Sequence, residues 1–261
     1  REIEISRPDL FASPAVRYPL AAVYRQLGKD SQTQRLYALD QYGVDRDAWW
    51  DCARGEMWLL DRKGPPPKPL VSCICVTERP HLDGRLDEAL WKKCPPIVLS
   101  SSLGDDRAWP ATAMLAHDEQ YLYIAILCRQ APGARYEVTS ERRPRNPDLS
   151  QHDRVDIFLD IDRDYATFYR LTIDHRGWAT DAANGDRSWN PKWFIAAQTS
   201  DGTWTAEAAI PLAELKATIV PGKTIWALGL QRTVPGVGFQ SWTSPAGTAV
   251  VPEGFGWLGF E

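Results

Sequence analysis

The chain has no uninterrupted apolar run of about 18 residues, so no segment reads as a membrane-spanning helix. Residues 1–20 also lack the basic, apolar and small-residue succession of a signal peptide. A start at Arg1 without Met fits a processed or trimmed piece of a longer protein. Charge of one sign is equally scarce: 30 Lys and Arg mix with 34 Asp and Glu for a net charge of −4. Nucleic-acid binding needs a clustered cationic face, and this balance argues against one. No G-x-S-x-G, H-E-x-x-H, phosphate-loop or dinucleotide-loop motif occurs, which removes the commonest routes to hydrolase, metalloprotease and nucleotide chemistry. The four histidines, His81, His117, His152 and His175, are scattered. A glycosidase needs two carboxylates flanking the bond it cleaves, and acidic residues alone cannot define such a pair. The chain therefore reads as non-catalytic.

What is abundant is tryptophan, with twelve residues in 261. Indole rings are large apolar surfaces with one N–H, suited to β-cores and to stacking against sugars. Five cysteines, Cys52, Cys73, Cys75, Cys94 and Cys128, match no zinc spacing. The odd count leaves at least one free thiol, and one disulfide among the last four is open beside a set of buried thiols.

Residues 1–64 read as helical. Ser13-Pro14 starts a run with Val16, Leu20, Val23, Tyr24 and Leu27 at three-to-four spacing, ended by Gly28. Ser31 caps a second run carrying Leu36, Leu39 and Tyr42, closed by Gly43. A third, from about Asp45 to Arg62, holds Trp49, Ala53, Met57 and Leu60 before Gly64. The Tyr24–Gly43 stretch resembles one and a half tetratricopeptide-like repeats. Such units need neighbours, so the segment either docks on the rest of the chain or belongs to a longer array, and it could carry a protein partner. Residues 65–69, with four prolines, form an extended spacer.

From residue 70 the period changes from 3.6 to 2. A strand is expected at about Leu70–Val76. Tyr121–Cys128 is apolar on both faces, as in a central strand. Val155, Ile157, Leu159 and Ile161 alternate with Asp156, Phe158 and Asp160, giving one core face and one partly polar face. The same alternation recurs in Phe168–Ile173, Trp204–Ile210 and Trp226–Arg232. Short strands separated by Gly, Pro, Asn and Asp indicate a mainly β chain, a two-sheet antiparallel sandwich over residues 70–261. The polar stretch Ala131–Gln151 reads as a surface loop.

Five segments carry a resemblance to a known family. They are His81–Trp91, Asp118–Ala125, Asp153–Asp160, Thr203–Pro211 and Phe255–Leu258. In this order they resemble the family 9 carbohydrate-binding modules, with His81–Trp91 matching the entry strand and first helical turn. The resemblance implies a non-catalytic β-sandwich that targets a larger secreted, periplasmic or surface protein to a polysaccharide or oligosaccharide. It also places Asp156 at an acidic sugar contact and Arg170 at an arginine sugar contact. On their chemistry alone, a carboxylate and a guanidinium side by side suit vicinal hydroxyls, though a cross-strand ion pair has the same look. The family's two stacking tryptophans would fall at Ser150 and near Ala249, and neither is aromatic here. Capture of a glucan's reducing end does not carry over.

Arg176–Trp193 reads as a loop in which Trp178, Trp189 and Trp193 are interspersed with Asp181, Asn184, Asp186, Arg187 and Asn190. That mixture suits a saccharide platform, and it equally suits an aromatic cap on one end of the sandwich. Asp160, Asp162 and Asp164 could supply oxygen ligands to a structural calcium, without the Gly and distal Glu of an EF-hand. Two other functions compete. One is a structural or adaptor module that binds a protein partner. The other is a haem-b electron-transfer domain, for which only Met57 and Met114 offer a thioether.

Overall fold

A computed structural model describes residues 2–41, 46–137, 139, 141–243 and 249–261. Tyr42, Gly43 and Asp45, assigned above to helix ends, lie outside them. Among the described residues, five helices come first: α1 (Glu2–Ser6), α2 (Pro8–Phe11), α3 (Pro14–Gln26), α4 (Asp30–Gln41) and α5 (Ala48–Asp61). The spacing foresaw the last three. Two short helical turns precede them in a stretch with no apolar period to announce them. Gly28 takes φ +65°, the left-handed turn after α3 that glycine makes at least cost.

Among the described residues, twelve strands form one sheet folded over into two layers. They are β1 (Leu70–Cys75), β2 (Ile97–Leu99), β3 (Ala111–His117), β4 (Tyr121–Arg129), β5 (Arg154–Asp160), β6 (Tyr169–Asp174), β7 (Ala179–Ala183), β8 (Phe194–Ser200), β9 (Thr203–Pro211), β10 (Ile225–Val234), β11 (Gly238–Ser241) and β12 (Gly256–Phe260). The first layer runs β7-β6-β5-β10-β12-β1, and the second continues β1-β3-β4-β9-β8. The chain is mainly β, as its alternation indicated. It departs from a purely antiparallel sandwich at β1, which runs parallel to both neighbours. Leu70–Cys73 pair with Trp257–Phe260, and Ile74 and Cys75 then pair with Ala116 and His117.

The period of 2 explains the main core. Val155, Ile157, Leu159, Leu171, Ile173, Trp226, Leu228 and Leu230 point inward from the first layer, meeting Leu115, Leu122, Ile124, Ile126, Trp204 and Ile210 from the second. Every member lies beyond residue 70. All five cysteines are free thiols, with only Cys75 exposed.

The outer faces are covered too. On the second layer, Leu82, Leu86, Leu90 and Trp91 pack over Tyr123, Ala125 and Ala209. This is the His81–Trp91 signature, and it is bends and turns rather than a strand and a helical turn. Its anchor is the fully buried Glu207 carboxylate, which accepts from Asp83 N (3.1 Å), Gly84 N (3.0 Å) and Trp91 Nε1 (2.9 Å). Gly84 has φ +85°, and a Cβ there would stand 2.8 Å from the backbone of Ala197, so no larger residue fits.

On the first layer, the helices dock. Tyr18, Ala21, Leu36, Tyr37, Cys52 and Ala53 pack against Phe158, Tyr165, Ala227 and Phe255. Gly55 lets α5 approach so closely that a Cβ would meet the Trp257 ring at 2.6 Å. At the junction the buried Glu56 carboxylate accepts from Arg163 Nε (2.9 Å), Tyr165 OH (2.6 Å), Arg25 Nη1 (3.1 Å) and Tyr37 OH (3.3 Å). No helix among the described residues is long and apolar enough to cross a membrane.

Candidate functional site

The helices cover only part of the first layer's outer face. Beyond them, β5, β6 and β7 present the polar half of their alternation. Asp156 stands across from Thr172 and Phe158 across from Arg170, so the three polar groups meet on one side. Asp156 is 3% exposed. Its Oδ1 accepts from Arg170 Nε (2.9 Å) and Thr172 Oγ1 (2.6 Å), with Arg170 Nη2 at 2.8 Å. Arg170 keeps 45% of its side chain exposed and lies over the Phe158 ring. The carboxylate is therefore a buried clamp, and the guanidinium is what reaches solvent.

Arg170 and Thr172 form part of the lining of a cavity of about 520 Å³. Thr180, Asp181 and Ala182 of β7 continue it, Asn146–Ser150 form a rim, and Arg154, Phe168, Gly185, Arg187 and Val250 complete it. The volume is that of an ordinary small-ligand site. Its walls are built by local rules. Asn184 (φ +53°) and Gly185 (φ +80°) make a two-residue turn closed by hydrogen bonds in both directions between Ala183 and Asp186. That turn brings Arg187 to the cavity. The rim is tied to it by Asn146, whose Nδ2 donates to Arg187 O (3.1 Å) and whose Oδ1 accepts from Asp181 N (3.3 Å). Asp148 accepts from Ser150 N (2.8 Å), and Arg154 Nη1 donates to Leu149 O and Ser150 O. Asp181 accepts from Trp193 Nε1 (3.3 Å) through Oδ2, while its Oδ1 is buried and has no partner among the described residues. Burial pushes the Asp181 carboxyl above the ordinary carboxylate range.

The structure thus joins Arg170 and Arg187 at one cavity and puts Asp156 beneath it. It does not bring the three loop tryptophans there. Arg176 stacks on Trp178 at 4.0 Å, Trp189 packs on Tyr169 at 4.8 Å, and Trp193 is 6% exposed at the edge of the main core. Asp186 is held by Ser188 N and Oγ, which keep its carboxyl below the ordinary range, and Asn190 is exposed away from the cavity. Nor is Arg176–Trp193 one loop, since β7 runs through it. Asn146, Arg154, Phe168, Thr180 and Val250 are lining residues that the reading of the sequence did not single out. Asn184-Gly185, a turn-type dipeptide, is a local signal that could have revealed the hairpin carrying part of the wall.

Asp160, Asp162 and Asp164 do converge, with one oxygen from each within 4.8 Å of the others. The donor type suits calcium, which takes six to eight oxygens. Here both Asp160 oxygens accept backbone N–H groups of Asp164 and Tyr165, and both Asp164 oxygens are engaged by Ala166 and Thr167. The turn is satisfied by its own donors. Burial, then the neighbouring Asp164, pushes the Asp160 carboxyl well up. Met57 and Met114 pack into the two outer-face clusters, on opposite layers.

Residues 82–243 match the model of the carbohydrate family 9 binding domain-like family. The chain belongs to that family. Solved structures agree on the fold. A family 9 carbohydrate binding module from Caldicellulosiruptor kristjanssonii in complex with cellotriose is 18% identical, with a TM-score of 0.58 over 74% of this chain and 94% of that one. A structure of such a module from the same organism with glucose gives 18% and 0.54, over 73% and 95%. A Bacteroides uniformis protein gives 13% and 0.59, over 74% and 100%. No curated protein sequence matches the chain. In this family 9 domain, Ser150, where the resemblance puts one stacking tryptophan, lines the cavity, as does Val250 beside Ala249, where it puts the other.

Proposed function

We propose that the protein binds carbohydrate, without catalysis, in the cavity on the outer face of β5, β6 and β7, and so attaches a larger secreted or surface protein to polysaccharide. The observation that carries this reading is the Asp156–Arg170–Thr172 cluster under a cavity bordered by Ser150 and Val250. A guanidinium fixed by a buried carboxylate is a preorganised donor, and Thr180 and Asn146 add short polar groups that suit hydroxyls. The complexes of the similar structures with cellotriose and glucose support the ligand class. A cavity with no tryptophan among its lining residues predicts weak affinity, because sugar faces gain most from flat rings.

Titration calorimetry against plant and microbial oligosaccharides tests the reading. Arg170→Ala is expected to weaken glycan binding by about 1–3 kcal/mol, the usual cost of removing a charged donor from polar partners. It also strips the buried Asp156 of its guanidinium and leaves it the Thr172 hydroxyl, so the melting temperature falls as well. Arg170→Lys, which keeps the charge, should recover most of the stability and less of the affinity. If no oligosaccharide binds, or if Arg170→Ala binds as the parent does, this assignment fails.

A further inference from the structure

We infer that the saccharide this cavity selects is acidic, a chain of hexuronate residues whose carboxylate is held by arginine. The inference rests on the carbohydrate reading above and concerns what that same cavity prefers.

Three guanidinium groups line the cavity, those of Arg154, Arg170 and Arg187. Among the described residues, neither Arg154 nor Arg187 has a carboxylate within ion-pair distance, whereas Arg170 does. Arg154 directs its Nη1 to the carbonyls of Leu149, Ser150 and His152. Arg187 makes one long bond, from Nη2 to Asn146 O at 3.4 Å. A guanidinium has five N–H donors in a planar fork, so most of the donors of Arg187 remain to be used. Arg145 stands behind the same turn, with Nη2 directed at the carbonyls of Arg187, Ser188 and Trp189.

Two carboxylates also line the cavity, and both have other work. Asp148 turns back to the N–H of Ser150 on the exposed rim. Asp181 accepts from Trp193 through Oδ2, and its other oxygen is buried. Asp156 already neutralises Arg170 from below. Asp148 acts on Arg154 and Arg187, and Asp181 on Arg187, only across space; among the described residues the forks of Arg154 and Arg187 are therefore not clamped by a carboxylate as that of Arg170 is.

The apolar side is correspondingly poor. Among the described residues, Phe168 is the one aromatic that lines the cavity, and its ring is engaged edge-on with Phe158 and Phe255. A neutral glucan depends on ring faces to stack on, and an acidic glycan depends on charge-assisted, two-pronged hydrogen bonds. Ser150 at one of the positions where the resemblance puts a tryptophan, and Val250 beside the other, share the lining with three arginines and shift the cavity from the first mode towards the second.

The test is calorimetry with trigalacturonate and cellotriose, at low and at physiological ionic strength. Trigalacturonate is expected to bind about tenfold tighter or more, with a margin that narrows as salt screens the arginines. Arg187→Gln and Arg154→Gln should each cost trigalacturonate more than cellotriose. Cellotriose binding as tightly as trigalacturonate overturns the acidic preference and leaves carbohydrate binding standing. A sulfated, carboxylate-free trisaccharide bound equally well overturns the carboxylate assignment in favour of charge alone. Binding of none of the three removes the carbohydrate reading together with this one.

Discussion

Glu56 is the position where a single change should do most to the helix–sheet junction. Its side chain is 1% exposed and accepts hydrogen bonds from four residues, Arg163, Tyr165, Arg25 and Tyr37. Burial pushes its carboxyl up, but the guanidinium groups of Arg163 and Arg25 outweigh this and bring it from 4.5 to about 2. At about 1.4 kcal/mol per pH unit, that difference amounts to about 3 kcal/mol of stability at neutral pH. The folded value lies below the unfolded one, so this contribution is complete above the unfolded value and fades as pH falls from 4.5 towards about 2. Glu56→Gln keeps the shape and removes the charge, leaving Arg163 buried without its carboxylate. Losing one partner of a buried pair costs about 3–5 kcal/mol. Urea unfolding followed by circular dichroism at pH 7 and pH 3 reads both effects. The gap between parent and variant should be about 3 kcal/mol or more at pH 7 and should narrow by about 2 kcal/mol at pH 3. A gap under about 1 kcal/mol at pH 7, or one that does not change with pH, would show that ring packing holds the helices and the carboxylate does not.

The packing sets three further outcomes. A fragment of residues 70–261 is expected to unfold cooperatively but at lower urea, because the main core lies wholly within it while Phe158, Tyr165, Ala227 and Phe255 lose their cover; a non-cooperative melt would show that the helices complete the core. Gly84→Ala should destabilise by about 2 kcal/mol or more, through its left-handed φ and its contact with the Ala197 backbone, and an unchanged melting temperature would contradict that geometry. Millimolar calcium should leave the melting temperature where it is, since Asp160 and Asp164 are satisfied by their own turn; a calcium-dependent rise that Asp162→Asn abolishes would make the turn a metal site.

How far these features were legible depended on whether they were local. Val155, Ile157 and Leu159 announced their inward face because a strand's two faces alternate along adjacent positions. The same pattern gave Phe158 and Asp160 as the outer face but could not show that this face is buried, because its cover comes from helices far earlier in the chain. Trp193 and Trp189 illustrate a second limit. An indole among short polar residues looks alike whether it faces a ligand or plugs the end of a core, and only the third dimension separates the two. The cavity was the least legible feature, since its lining comes from the 146–150 rim, β5, β6, the β7 hairpin and Val250. Arg170 was found because it sits in a strand with a clear period. Arg187 was found through the wrong argument, a tryptophan platform that the fold does not build.

The strand β1 belongs to both layers, and its partners in the first are Trp257–Phe260. The seam that joins the two layers therefore cannot close until β12 is available. A ribosome would release helices, linker and ten further strands before the one that locks β1 in place. Until then Cys73 has no finished core to enter, and the backbone of β1 stands open on one side. Such a domain should complete its fold only once β12 has emerged, in one late step, and should depend on folding helpers more than its size alone suggests.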